Sequence, residues 1–372
     1  MSERIDDKAG EPDSVASALA AVIRQAIADA GGWLPFDRFM ALALYQPGLG
    51  YYANSGRKFG AMPGSGSDFV TAPELSPLFG RALAAQVAQA LAASGTQQVM
   101  EFGAGSGALA EGLLDALGDA VADYTIVDLS GVLRARQQAR LARFGGRVRW
   151  LDALPEAFDG VVVGNEVLDA MPVQLLHFDG AAWSERGVVV AAAGGFAFAD
   201  RPTTLRPPVD APFVPGTVTE IHPQAEAFVT TLAGVLRRGV AIFIDYGFPE
   251  AEFYLPQRHG GTLMCHQAHR ADGDPLADVG LKDITAHVNF SGVALAAQDA
   301  GLDVIGYTSQ ARFLINCGLV ALLEGASITE RAMAQKLITE HEMGELFKVI
   351  AFARGVSIDP LGFAQGDRTH RL

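Results

Sequence analysis

Nine residues, Val99-Met-Glu-Phe-Gly-Ala-Gly-Ser-Gly107, constrain what this chain can fold into more than any other stretch. An apolar run leads into alternating glycines, and Leu109, Leu113, Leu114 and Leu117 follow at helical spacing. The pattern reads as a buried strand, a tight loop and the start of a helix. Glycine has no Cβ and tolerates positive φ, so such a loop lets a ligand lie against bare backbone. Open α/β sheets bind ligands at this edge, beyond the carboxyl ends of their strands.

Two ligands fit the glycines. Gly103-x-Gly105-x-x-Ala108 matches a dinucleotide fingerprint, with Asp128 at the distance of a ribose-binding acid. Glu101-x-Gly103-x-Gly105-x-Gly107 resembles the first motif of class I S-adenosyl-L-methionine (AdoMet) methyltransferases. Charge favours the second. A pyrophosphate beside the loop gains little from an acid. AdoMet has no phosphate and carries an amine and a sulfonium, both cationic. Glu101 precedes the loop, and no Lys or Arg lies between Val99 and Asp123.

A chain of 372 residues can bury a sizeable core, and its 49% hydrophobic and 19% charged content is that of a globular protein. The formal net charge of -14 argues against a nucleic-acid partner. Basic proteins, basic peptides or cationic cofactors are easier to attract. Cys265 and Cys317 form no CxxC pair, which points to a reducing compartment and away from a zinc site. Met1 to Asp13 is polar and contains Asp6, Asp7, Glu11 and Asp13, unlike a secretory signal or a transit peptide. No run reaches the ~20 apolar residues of a membrane span. The expected location is the cytoplasm for a bacterial chain, and the mitochondrial matrix only for a eukaryotic one.

Along the chain, residues 1–13 read as a disordered tail and 14–95 as a helical extension. Within the extension, residues 53–67 are rich in Gly and Ser and read as a loop. From 96 to 353 the pattern is that of a Rossmann-like α/β domain. Strands at 98–102, 123–127, 147–151 and 160–164 alternate with helices at 107–117 and 130–143, the signature of a mainly parallel sheet. Short strands with Gly turns mark 173–216 as a β-rich insertion, and 249–290 as an irregular lid. Val240 to Gly247 is a buried strand, and the strands at 302–307 and 347–353 close a seven-stranded sheet as an antiparallel pair. Residues 354–372 read as a C-terminal tail.

Asp128 ends the second strand, where a carboxylate can accept both ribose hydroxyls of an adenosine; a helix cap before Ser130 is the plainer reading. Asp152, after the third strand, is placed to bind the adenine amine, or is an ordinary loop acid. Asn165, Glu166 and Asp169 follow the fourth strand. Glu166 can hold a guanidinium or amine by charge-assisted, bidentate bonds. A capping network around the Met171-Pro172 turn would use the same residues. Methyl transfer requires chiefly alignment. A guanidinium is always protonated, so a carboxylate that polarises it and takes up its proton is needed. His259, His266, His269 and His287 lie among aspartates without HxH or HExxH spacing, so no metal is expected. GAGSG at 103–107 lacks the spacing of a hydrolase nucleophile elbow.

Five segments occur in order: Ser67-Asp-Phe-Val-Thr-Ala-Pro-Glu74 with Phe79-Gly80, Glu101 to Gly107, Asn165-Glu-Val-Leu-Asp-Ala-Met-Pro172, Ile244-Asp-Tyr-Gly247, and Asp283-Ile-Thr-Ala-His-Val-Asn-Phe290. Together they resemble the MidA family of AdoMet-dependent methyltransferases, over roughly residues 35 to 353. That family includes the mitochondrial protein arginine methyltransferase that assists assembly of respiratory complex I. The resemblance implies a class I fold, AdoMet as cofactor, and an arginine side chain of a protein, such as a complex I subunit, as acceptor. Glu101, Gly103, Gly105, Gly107, Asp128 and Asp152 are then expected to hold the cofactor. Asn165, Glu166 and Asp169 are expected to act on the acceptor, with Asp68, Glu74 and His287 lining the substrate or lid side. Asp128 stands where the family often has Glu, Val167 and Leu168 where aromatics are common, and Ser67 where Gly is usual. An assembly factor that keeps the fold but works by binding, and an NAD(P)-dependent oxidoreductase, are the alternatives. The acceptor protein, the degree of methylation and the oligomeric state have no signal in the sequence.

Overall fold

The computed structural model describes residues 12–54, 70–128, 130–267 and 270–372. Asp68 and His269 lie outside them, as does most of the 53–67 loop. The central sheet has seven main strands: β1 (Gln98–Phe102), β2 (Asp123–Val127), β3 (Val148–Leu151), β4 (Phe158–Asn165), β5 (Leu236–Phe248), β6 (Asp303–Ser309) and β7 (Phe347–Arg354). Their spatial order is β3-β2-β1-β4-β5-β7-β6. The pairs from β3 to β5 are parallel, and β7 is antiparallel to both β5 and β6. Val288–Asn289 adds a short parallel strand against Gly247 and Phe248, at the end of β5.

The strands are apolar on both faces because helices cover both. Val99, Val161, Val163, Ile242 and Ile244 face one layer, with the helices Pro77–Ser94 and Ala108–Leu117. Met100, Val162, Ala241 and Phe243 face the other, with Pro223–Val235 and Phe290–Asp299. The strand order reverses between β1 and β4, and a cavity opens at the carboxyl ends there. This is where open α/β sheets place ligands.

Local signals fix the elements beside that cavity. The Ser76 hydroxyl accepts from the Leu78 N–H at 3.3 Å and starts the Pro77–Ser94 helix. This helix lies against the one that follows the glycine loop at Gly80 and Gly112; a Cβ on Gly80 would sit 3.3 Å from the Gly112 Cα. The two small residues let the helices approach and hold the loop from behind.

A second, antiparallel sheet carries the β-rich segment. Gln174–Phe178 pairs with Trp183–Val190, which pairs with Phe196–Pro202. The sheet extends beyond 173–216 on both sides: Thr217–Ile221 pairs with Gln174–Phe178, and Leu34–Pro35 with Val188 and Gly187. The helices Pro12–Asp29 and Phe36–Tyr45 bury Leu19, Ile23, Phe36 and Phe39 against Val173, Leu175 and Val188, and against Ile284 and Ala286. Residues 249–290 are more regular than expected, since Met264–Gln267 pairs with Arg270–Asp272 and with Asp283–Thr285. Near the C-terminus Phe363 is buried against Phe313. Among the described residues no helix is long and apolar enough to cross a membrane.

Candidate active site

The cavity is about 910 Å³ and is lined from four directions: the glycine loop, the ends of β2 to β5, the N-terminal extension and the 249–290 segment. Among the described residues no lysine or arginine lines it. It has two ends of different make.

At one end the glycine loop turns with φ +61°, +54° and +84° at Gly103, Gly105 and Gly107. A Cβ on Gly103 would come within 3.1 Å of Val167 Cγ2, a tight contact at a backbone conformation that already disfavours a side chain. Glu101 at the end of β1 is 2% exposed and accepts from the Tyr124 hydroxyl at 2.6 Å. Burial pushes its carboxyl up to about 8; the Tyr124 bond opposes this and the nearby Asp128 adds to it. Among the described residues Glu101 has no cationic partner, and a buried acid that faces a cavity favours a cation over a phosphate.

Asp128 lines the cavity and accepts from the Ser130 N–H at 2.8 Å, while Ser130 itself caps the following helix. Gln137 donates to its other oxygen at 2.7 Å and to the Gly105 carbonyl at 3.0 Å, tying the acid to the glycine loop. Gln137 carried no signal in the sequence. Asp152 lies at the rim of the cavity; its side chain is 85% exposed and paired with Arg134. The apolar side chains of Val127, Leu154 and Phe228 line this end.

Glu74, expected on the substrate side, instead serves the glycine loop. It accepts from the Ser106 hydroxyl and from Arg140 at 3.0 Å, and Arg140 Nε also binds Glu111 at 2.9 Å. Two residues earlier in the same short helical turn, the Ala72 N–H donates to the Glu166 carboxylate. This turn therefore touches both ends of the cavity.

At the other end carboxylates cluster. Asn165 donates to Glu166 at 2.9 Å, and Tyr246 donates to Asp169 at 2.5 Å. Tyr52, from the extension, donates to Asp283 at 2.8 Å. Burial pushes Glu166 up to about 8, with Asp169 and Asp283 raising it and the Asn165 and Ala72 donors lowering it. Asp169 is pushed up to about 6 by burial, and the Tyr246 hydroxyl holds it down. His287 lines the same end, and burial lowers it to about 4, so it is a neutral imidazole near pH 7. Asn165 Oδ1, Asp169 Oδ1 and His287 Nδ1 are buried and have no hydrogen-bond partner among the described residues. Two of these three are obligate acceptors. The site therefore asks for a ligand rich in N–H donors and positive charge. Tyr246 and Asp283 were legible only as members of family motifs, without roles, and Tyr52 carried no signal.

Among the described residues no group of three or more His, Cys, Asp or Glu is placed to hold a metal ion. The strand order, the glycine loop after β1 and the acid at the end of β2 together define a class I methyltransferase. The profile of a family described as "Putative S-adenosyl-L-methionine-dependent methyltransferase" matches residues 82–308. The chain belongs to this family, the MidA-like COG1565 group, and its cofactor is AdoMet.

A COG1565 superfamily member from Burkholderia thailandensis, solved bound to S-adenosyl-homocysteine, is 54% identical. It is similar over 98% of this chain and 99% of its own, with a TM-score of 0.94. A native structure of a protein of the same superfamily and organism is 53% identical, with 98% and 99% covered and a TM-score of 0.89. Among curated relatives, the protein arginine methyltransferase NDUFAF7 homologue of Drosophila melanogaster is 27% identical, over 94% of this chain and 88% of its own. That of Caenorhabditis elegans is 26% identical, over 77% and 74%.

Proposed function

We propose that this methyltransferase acts on the guanidinium of an arginine in a protein, at the carboxylate end of the cavity. The observation that carries this is the set of Glu166, Asp169 and Asp283 around buried acceptors that, among the described residues, have no partner, with no described lysine or arginine lining the cavity. A guanidinium supplies a permanent charge and five N–H donors, and its planar fork matches paired carboxylates. The relatives named as protein arginine methyltransferases support the same acceptor. A complex I subunit or a similar protein is the partner that the family resemblance implies.

In this reading Gly103, Gly105 and Gly107 let the cofactor lie on the loop backbone. Glu101 pairs with its amine, Asp128 with the ribose hydroxyls, and Asp152 with the adenine edge from the rim. When bound, the cofactor supplies an electrophilic methyl group on a sulfonium. Glu166 and Asp169 orient the guanidinium so that one nitrogen lone pair points at that methyl group, with Asn165 fixing Glu166. The nitrogen–carbon bond forms as the sulfur–carbon bond breaks, and the nitrogen's surplus proton passes to Glu166. Glu74 steadies the glycine loop, His287 borders the acceptor, and Asp68 belongs to the same motif as Glu74.

The test is transfer of labelled methyl groups from AdoMet to proteins of a cell lysate, followed by hydrolysis and amino-acid analysis. Methylarginine formed by the wild type and not by Glu166→Gln is the expected result. Label on lysine, on carboxylates or on small molecules would overturn the acceptor. Binding of a partner without any transfer would favour an assembly factor.

A further inference from the structure

The acceptor carboxylates sit on a turn whose backbone is held from the neighbouring strand. The parallel ladder of β4 and β5 ends at the Asn165–Ile244 pair, and the Glu166 N–H donates to the Ile244 carbonyl at 2.9 Å. Glu166 then takes φ +53°, one of two described residues other than glycine with positive φ. The next three N–H groups converge on one atom. Val167, Leu168 and Asp169 donate to Asp245 Oδ2 at 3.1, 2.8 and 3.1 Å. The other Asp245 oxygen accepts from the Tyr246 N–H at 2.9 Å. Asp245 is 1% exposed and does not line the cavity.

Consecutive N–H groups in such a turn form a concavity that binds anions. Here a side chain fills it. We propose that Asp245 is the positioning residue of the acceptor site: its carboxylate occupies this backbone nest, holds Glu166 in the left-handed conformation, and so aims Glu166 and Asp169 into the cavity. A left-handed glutamate is unfavourable on its own and persists only where its surroundings impose it. The three N–H groups are otherwise unpaired near the bottom of a cavity, where an unmet donor is costly. With Asp245 in place, one atom satisfies all three and fixes the turn. The nest follows from the backbone alone; its link to methyl transfer rests on the arginine reading.

The experiment compares the full-length wild type with Asp245→Asn, which keeps the shape and removes the charge. Amide hydrogen exchange is followed at residues 167–169 and at 161–163. S-adenosyl-homocysteine affinity is measured by calorimetry, and methyl transfer is measured on a peptide with a single arginine. The expected result is faster exchange at 167–169 with 161–163 still protected, cofactor-product affinity within about threefold, and kcat lower by about 100-fold. Unchanged exchange at 167–169 would overturn the nest. Cofactor-product affinity falling in step with kcat would mark a general structural role and overturn positioning. Asp245→Glu replaces the asparagine variant if that one does not fold, read by the same exchange ratio. A wild type that never methylates the peptide would sink the arginine reading, while exchange still decides the nest.

Discussion

The two ends of the cavity are built on different principles. The proposed cofactor end has a contiguous floor, a strand, three glycines and a helix within 98–117 with Asp128 soon after, to which Leu154 and Phe228 add only apolar walls. The acceptor end is assembled from distant pieces. Tyr246 meets Asp169 across 77 positions, and Tyr52 meets Asp283 across 231. A loop that must accommodate a fixed cofactor can be local, because backbone does most of the work. A site that must concentrate negative charge needs several side chains held against their mutual repulsion, and only long-range packing provides that.

The comparison breaks most directly at Glu166. Glu166→Gln should lower kcat by about 10²–10⁴-fold with S-adenosyl-homocysteine affinity nearly unchanged, measured by single-turnover transfer and calorimetry. Loss of both together would mean that the two ends are not separate. The converse change is Gly105→Val, which forces a β-branched residue to φ +54°. Cofactor affinity should fall about 100-fold or more, while thermal melting without ligand shows a folded sheet. A variant that still binds would remove the loop from the site.

Smaller effects sharpen the picture. With Glu101 pushed to about 8, its carboxyl is neutral at pH 7, and an arriving ammonium ionises it. Binding of S-adenosyl-homocysteine at pH 7 should release close to one proton, read from calorimetry in buffers of different ionisation enthalpy. Glu101→Gln should abolish the release and weaken binding about tenfold. Glu101 and Glu166 have folded values of about 8, above the unfolded value of ~4.3. The ligand-free fold thus holds more protons than the unfolded chain and loses stability as pH rises from about 5 to 8; bound S-adenosyl-homocysteine should flatten that slope. Tyr246→Phe removes the donor that holds Asp169 down, so the Asp169 carboxyl should titrate above its value of about 6, adding to the limb that Glu166 sets near 8 and giving a few-fold loss of kcat/KM near neutrality.

This contrast also explains what was legible in the sequence. Strand β5 declares itself through the apolar run Val240–Ile244, and β1 and β2 through short apolar segments at the spacing of a βαβ unit, with the punctuation of Gly103 to Gly107. Glu101, Asp128 and Glu166 follow because they end strands of a recognisable sheet. Asp245 does not: its importance lies in three N–H groups of another strand's turn, which no local pattern encodes. Glu74 is misplaced for a related reason. Its motif announces a site residue, but only the fold brings it to Ser106 and Arg140 rather than to the acceptor. The pairing of Leu34–Pro35 with a strand some 150 residues later is equally invisible to periodicity.

That last pairing sets a timetable for synthesis. The apolar faces of the first two helices find their partners in Val173, Leu175 and Val188, and finally in Ile284 and Ala286. At ribosomal rates of about 5–20 residues per second, Leu19 and Phe36 wait on the order of ten seconds or more before the chain that covers them emerges. The apolar faces of the first two helices thus stay without their long-range partners while most of the sheet is still being made.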